Sequence, residues 1–99
     1  MLAEGKFVKS NGLHFPEFEK HIHVVDPFII PSHWTRYRSL DYGLDKLAVL
    51  WYAVDPYNNV YVYKHIHESD LIISEAARRI IEVNGDDKIQ LTYAPSDLS

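Results

Sequence analysis

The chain has 99 residues, the size of one small domain, and it contains no cysteine, which excludes disulfides, thiolate metal sites and thiol nucleophiles. Hydrophobic residues make up 46% and charged residues 24%, which excludes wholesale disorder. The net charge is −4: residues 1–38 carry five basic and four acidic residues, and residues 39–99 carry five and ten. A protein that holds nucleic acid by charge alone would be basic, so DNA binding would need a bridging cation or a basic surface from elsewhere.

No apolar run approaches the length of a membrane-spanning helix, and the N-terminal residues lack a basic start followed by an apolar block. We therefore expect neither a membrane partner nor a secretory signal.

The first third of the chain is irregular, with three prolines that favour extended backbone and several aromatic residues between residues 7 and 34. It lacks the periodicity of a self-contained unit. We interpret residues 1–33 as a linker whose aromatic side chains pack onto another part of the protein.

The middle of the chain predicts three strands. Residues 36–41 form the first, the nearly apolar residues 47–54 form the second, and residues 60–67 follow a turn at Asp55–Asn59, which makes an antiparallel hairpin. Regular alternation assigns the side chains of the third strand to two faces: Val60, Val62 and Ile66 on one, and Tyr61, Tyr63, His65 and His67 on the other.

A helix and a further strand follow. Ser74 is a favourable N-cap and Asn84-Gly85 a C-terminal stop, with an apolar stripe of Ala76, Ala77, Ile80 and Ile81 between them and Arg78 and Arg79 facing outward. Residues 88–93 form the last strand. The order strand, strand, strand, helix, strand predicts an α/β fold with a mixed sheet, in which the last strand pairs parallel with the first.

Two acids lie where this topology would bring them together. Asp41 ends the first strand, and Asp97 follows the last one. Ligands bind at the carboxyl ends of strands in open α/β sheets, and paired carboxylates suit Mg²⁺ or Mn²⁺. Two ordinary solvated strand-end acids are the alternative interpretation.

The histidines form a second set of candidate ligands. His21 with His23, and His65 with His67, are each spaced to share one face of a strand, and four imidazoles from two strands could hold Zn²⁺. A half-exposed aromatic face is the alternative, and His14 and His33 lie in neither pair.

Aromatic and basic side chains give weaker indications of nucleic-acid binding. Trp51, Tyr52, Tyr57, Tyr61 and Tyr63 could stack bases, although such platforms come with a basic groove and this half of the chain is acidic. A packed or cross-strand aromatic cluster is the alternative. Arg36 and Arg38 alternate on the first strand and could contact phosphate. None of the four glycines lies in a phosphate-binding loop, so no P-loop ATP site is predicted.

A family resemblance rests on several segments in a fixed order. They are residues 30–43 (IPSHWTRYRSLDYG), 48–55 (AVLWYAVD), 60–63 (VYVY), 71–77 (LIISEAA) and 93–98 (YAPSDL). In this order they resemble the start of the nuclease domain in the large terminase subunit of tailed bacteriophages. Residues 15–18 (FPEF) and 21–25 (HIHVV) resemble the segment that joins the family's ATPase domain to its nuclease domain.

The resemblance implies a ribonuclease H-like fold, truncated after its fourth strand, with residues 34–99 as the N-terminal half of a metal-dependent endonuclease domain that cuts concatemeric DNA. It implies Mg²⁺ or Mn²⁺ as cofactor, with Asp41 and Asp97 as catalytic metal ligands and Glu68 as a further candidate ligand. The implied partners are double-stranded DNA, the rest of the large subunit, the small terminase subunit and the portal protein, in the cytoplasm of the bacterial host.

The chain departs from the family because the ATPase and the third acid of the nuclease have no counterpart here. Whether the chain is itself an enzyme is therefore left open. The alternatives are a non-catalytic prophage remnant or interaction fragment that docks on other packaging proteins, and a His-rich metal-binding β module. A truncated sheet would leave Trp51, Tyr52 and Ile89 partly exposed.

Overall fold

The computed structural model of the chain describes residues 5–10, 22–43 and 46–94. The regular elements of these residues are six strands and one helix. In chain order they are β1 (Phe7–Ser10), β2 (Ile22–Val25), β3 (Thr35–Gly43), β4 (Lys46–Val54), β5 (Val60–Glu68), α1 (Ile73–Asn84) and β6 (Leu91–Tyr93).

One mixed sheet contains all six strands in the order β2-β1-β5-β4-β3-β6. The long strands β3, β4 and β5 pair antiparallel, while β6 pairs parallel with β3, with Ser39 opposite Tyr93. The predicted α/β class, the three antiparallel strands and the parallel fourth strand are therefore confirmed. Because β3 and β6 run the same way, their carboxyl ends lie at the same end of the sheet.

Two short strands extend the sheet beyond the predicted unit. β1 and β2 come from the segment interpreted as a linker, and β1 pairs antiparallel with both β2 and β5. Each strand has only four residues, which is too few for a periodic sequence pattern. Their strand conformation is therefore stabilised by pairing with the neighbouring strand. The sheet is continuous across the division proposed at residue 33.

The turn between β4 and β5 is built as its sequence predicts. The carboxylate of Asp55 accepts hydrogen bonds from the backbone N–H groups of Tyr57 and Asn59, both at 2.9 Å. Asn58 takes a left-handed conformation with φ of 64°. Asn is one of the few side chains that tolerate this backbone region, so the turn is encoded locally.

A β-bulge in β5 overturns the predicted division of its side chains. Trp51 lies opposite Lys64, but Tyr52 lies opposite Val62, so Tyr63 has no partner on β4. One extra residue reverses the alternation, because side chains on a strand change face at every step. Val60 and Val62 consequently face the opposite way from Ile66, and Tyr61 faces the opposite way from His65 and His67.

Helix α1 begins one residue before the predicted N-cap. Ile72 occupies the N-cap position, and Glu75 accepts a hydrogen bond from its backbone N–H at 3.3 Å, so a side chain from the first turn compensates for the missing cap. The helix ends at Asn84, and Gly85 follows with φ of 57°, as predicted.

The apolar stripe of α1 also differs from the prediction. Ala76 is buried, and Ile80 and Val83 pack beside it, whereas Ala77 and Ile81 are exposed. Both sets have helical spacing, and only the packing against the sheet selects between them.

The core lies between α1 and one face of the sheet, which we call the helix face. Its fully buried members are Leu47, Val49 and Trp51 of β4 with Ile66 of β5, and the partly buried Ile89 packs against them. The expectation that Trp51 would be partly exposed is wrong: its side chain is fully buried, and its indole Nε1 donates to Asn84 Oδ1 at 2.8 Å. The bond to Asn84 places the indole beneath the C-terminal end of the helix.

Candidate functional site

The other side of the sheet, which we call the open face, carries Asp41. Two cross-strand rows define its surroundings. In the first row Asp41, Ala48 and His67 lie side by side on β3, β4 and β5, and in the second row Ser39, Leu50 and His65 do so. Helix α1, the one helix in the described part of the chain, covers the helix face only.

The carboxylate of Asp41 is exposed, as is the imidazole of His67, while His65 is half-buried. In residues 5–10, 22–43 and 46–94, the side chains of Asp41 and His67 make no hydrogen bond or ion pair. The register places Lys46 diagonally beside Asp41 on the open face. Within the described part of the chain, Asp41 is therefore an unpaired carboxylate on an exposed sheet surface.

Glu68 lies on the other face from Asp41. It is opposite Leu47 of the helix face, and its carboxylate accepts a hydrogen bond from Arg79 Nε at 2.8 Å. The sequence pattern predicted that Arg79 faces outward into solvent. Instead, its guanidinium pairs with Glu68 on the sheet. The structure does not bring Glu68 and Asp41 together.

Asp97 lies outside the described residues. β6 runs parallel to β3 and ends at Tyr93, which lies opposite Ser39, two residues before Asp41 on β3. This is the topological condition on which the paired-acid prediction depended, and the pairing of the two acids stays a prediction.

Across the described residues, no three histidine, aspartate or glutamate side chains are grouped so that they could hold a metal ion. On the open face the described carboxylate near His67 is that of Asp41, and Mg²⁺ sites normally use one or two carboxylates with several waters. Because Asp97 lies outside the described residues, the metal set of Asp41 and Asp97 stays a prediction.

The four-imidazole zinc site is not assembled either. His23 lies opposite Lys9, and Lys9 lies opposite Tyr61, so His23 is on the helix side of the sheet while His65 and His67 are on the open face. His14 and His21 lie outside the described residues, and His33 precedes β3 in an exposed turn.

Tyr61 and Tyr63, two of the tyrosines proposed for base stacking, belong to a packed aromatic cluster, whereas Tyr57 is exposed in the β4–β5 turn. Phe28 contacts Phe7, Trp34 and Tyr61 with ring centroids 5.3, 5.8 and 5.3 Å apart, and Trp34 stacks on Tyr61 at 5.2 Å. Phe7 also contacts Tyr63. The segment before β3 thus packs its aromatic side chains onto the sheet, which covers the faces that bases would need.

Arg36 and Arg38 are held by a polar network instead of standing free for phosphate. The carboxylate of Asp87 accepts hydrogen bonds from Arg36 at 2.7 Å, from Lys64 at 2.8 Å and from the hydroxyl of Tyr63 at 2.9 Å. Arg38 donates to Thr92 Oγ1 at 3.1 Å. These side chains tie the segment after α1 to β3 and β5.

The network shifts the pKa of its members in opposite directions. Burial raises the pKa of the Asp87 carboxyl, but the hydrogen bonds from Lys64 and Tyr63 and the charges of Lys64 and Arg36 outweigh it, so the pKa lies below its ordinary value. Burial, then the hydrogen bond and the charge of Asp87, raise the pKa of Tyr63. Asp87 stays ionised and Tyr63 stays a neutral donor at physiological pH.

Sequence reasoning did not single out Asp87, because an acid in a run of charged residues after a helix looks like a solvated loop residue. It also missed that His67 shares a row with Asp41. Counting outward from the β4–β5 turn without the bulge would place Ile66 opposite Ala48, so a regular hairpin gives the wrong neighbour.

No protein-family model, curated protein or solved structure significantly matches this chain. Within the described residues, no helix is long and apolar enough to cross a membrane.

Proposed function

We propose that this chain is the N-terminal part of the nuclease domain of a terminase large subunit, with a ribonuclease H-like sheet. The single observation that supports this most is the parallel pairing of β6 with β3 after three antiparallel strands and a helix. The sequence resemblance requires that pairing, and composition alone does not suggest it.

In this proposal Asp41 is the metal-binding acid of the first nuclease strand, and its exposure on the open face leaves it accessible to a cation and a phosphodiester. Asp97 is the second acid. A bound Mg²⁺ or Mn²⁺ would stabilise charge on the attacking and leaving oxygens. The salt bridge from Arg79 to Glu68 argues against Glu68 as a ligand.

The proposed substrate is double-stranded DNA, cut in the cytoplasm of a bacterial host. The rest of the large subunit, the small subunit and the portal protein would be the partners. Because the chain is acidic overall, these partners or the metal ion must supply the positive charge that holds the DNA.

Metal-dependent nicking of supercoiled plasmid tests the proposal. The wild-type chain should convert supercoiled DNA to open circles slowly with Mn²⁺ or Mg²⁺, and Asp41→Asn should abolish the conversion. Glu68→Gln, purified in parallel, is the matched carboxylate control and should nick like the wild type. Equal nicking by the wild type and Asp41→Asn would contradict the nuclease assignment.

A second candidate function is that of a docking fragment for other packaging proteins. Leu91 and Tyr93 of β6 are 60% and 63% exposed. They lie opposite Tyr37 and Ser39 of β3, so all four residues are on the open face. Exposed apolar side chains on an edge strand favour association. Absence of any nicking by the wild-type chain would favour this candidate.

A further inference from the structure

The β5 residue in the same cross-strand row as Asp41 is a histidine. His67 lies on the open face with Ala48 of β4 between it and Asp41. We propose that Asp41 and His67 are ligands of one divalent cation held above Ala48, and that this site prefers a first-row transition-metal ion to Mg²⁺. The inference rests on the proposed function only in taking Asp41 as a metal ligand.

The spacing of the sheet allows both side chains to reach one ion. Neighbouring strands lie about 4.8 Å apart, so the Cα atoms of Asp41 and His67 are separated by roughly 10 Å. An aspartate and an extended histidine, each with a metal–ligand bond of about 2.1 Å, span this separation when they lean toward each other. Ala48 contributes only a methyl group between them, so its own side chain does not block an ion held there.

Both side chains are available in the part of the chain that the structure describes. Asp41 and His67 are exposed and make no hydrogen bond or ion pair there, in contrast to Glu68, whose carboxylate is occupied by Arg79. The site thus has two protein ligands, and waters would complete the coordination. The described residues contain no group of three or more potential metal ligands, and a site with two protein ligands is compatible with that finding.

The ligand types determine the metal preference. Mg²⁺ takes oxygen ligands in nearly ideal octahedral geometry, whereas imidazole nitrogen favours transition-metal ions. One carboxylate with one imidazole therefore discriminates against Mg²⁺. The bulge at Tyr63 makes this pairing possible, because with regular alternation from the turn His67 would not lie beside Ala48 on the open face.

Two neighbours define the controls. Lys46 lies diagonally beside Asp41 and opposes cation binding, so Lys46→Ala should leave metal binding intact or strengthen it. His65 is half-buried beside Leu50 in the adjacent row, so His65→Ala should have a smaller effect than His67→Ala. His23, an exposed strand histidine on the other side of the sheet, is the matched imidazole control.

Mn²⁺ titration followed by electron paramagnetic resonance, without DNA, tests the inference on the full chain. The wild type should bind Mn²⁺ with Mg²⁺ as a weak competitor, and Asp41→Asn and His67→Ala should each lower Mn²⁺ affinity at least about tenfold. His23→Ala should bind like the wild type. Unchanged Mn²⁺ affinity in His67→Ala, or equal competition by Mg²⁺, would overturn the proposal, as would no Mn²⁺ binding by the wild type.

Paramagnetic broadening in the wild-type chain gives a readout that needs no variant to fold. Substoichiometric Mn²⁺ should broaden the imidazole proton resonances of His67 more than those of His23 or His33. Broadening centred on another histidine would overturn the assignment. Mn²⁺ binding at Asp41 and His67 without plasmid nicking would support this site while removing the nuclease proposal, so the two failures are distinguishable.

Discussion

The two faces of β4 carry residues with opposite roles. Leu47, Val49 and Trp51 face α1 and are almost completely buried, while Ala48 and Leu50, which alternate with them, face the open side and are half-buried. The helix face packs against α1 to form the core, whereas the open face carries the carboxylate of Asp41 and the imidazoles of His65 and His67. One strand therefore separates stability from chemistry simply by alternation.

The acids of the two regions differ in the same way. Asp87, beside the helix face, has a side chain only 14% exposed and is bonded to Arg36, Lys64 and Tyr63. Asp41, on the open face, is exposed. A carboxylate with three partners contributes to the fold, whereas a carboxylate that is left free can bind a ligand.

Leucine truncation on the two faces should give the largest difference in stability. Leu47→Ala removes a fully buried side chain and should lower the free energy of unfolding by about 2–5 kcal/mol. Leu50→Ala removes the same atoms from the open face and should cost about 1 kcal/mol or less. Urea denaturation of the two variants measures both values, and equal losses would mean that the open face is packed as tightly as the core.

Truncation of the two acids should give the next largest difference. Asp87→Ala leaves the charges of Arg36 and Lys64 half-buried without their partner and should destabilise the chain by about 2–3 kcal/mol. Asp41→Ala should change stability by no more than about 0.5 kcal/mol. Thermal unfolding followed by circular dichroism checks the pair. A large loss in Asp41→Ala would show that this carboxylate has a structural role.

Acid should weaken the helix side through Asp87. Its folded-state pKa is lowered, so its contribution to stability is fully present above the unfolded-state value of about 3.9 and is lost as the pH falls through the lower folded value. Wild-type stability in a urea series should therefore fall as the pH is lowered through and below the unfolded-state value of about 3.9. Asp87→Asn should show a flatter profile, and identical profiles would contradict the role given to this carboxyl.

The smallest effect is expected for the ion pair between Arg79 and Glu68. Both side chains are about one-third exposed, at 35% and 34%, and exposed pairs contribute little because water and salt screen them. Glu68→Gln should shift the urea midpoint by an amount close to the measurement error. A shift as large as that of Asp87→Ala would mean that α1 is anchored through Arg79.

The sequence predicted the parts of the fold that local patterns determine. The long strands β3–β5, the Asp55–Asn59 turn and α1 each carry their own signal of alternation, turn chemistry or helical spacing. The four-residue strands β1 and β2 do not, because they are stabilised by pairing, β1 with β5 and β2 with β1. The polar network of Asp87 escaped prediction for a similar reason, since its partners come from β3 and β5 and are distant along the chain.

The candidate site was predicted in part. Asp41 was identified by its place near the end of β3, and it lies exposed on the open face. Its neighbour His67 could not be identified, because the register between β4 and β5 changes within the strands. The role of Asp97 stays a prediction, and Glu68 is a neighbour in sequence of His67 but lies on the other face.

The bulge at Tyr63 reverses which face of the sheet each following side chain of β5 occupies. Between the β4–β5 turn and the bulge, Tyr61 packs in the aromatic cluster. After the bulge, Ile66 packs in the core and His67 lies on the open face. Deletion of Tyr63 would restore one uniform phase, so either the aromatic contact or the core contact would be lost. A single unpaired residue thus lets one strand serve two unrelated packing requirements along its length.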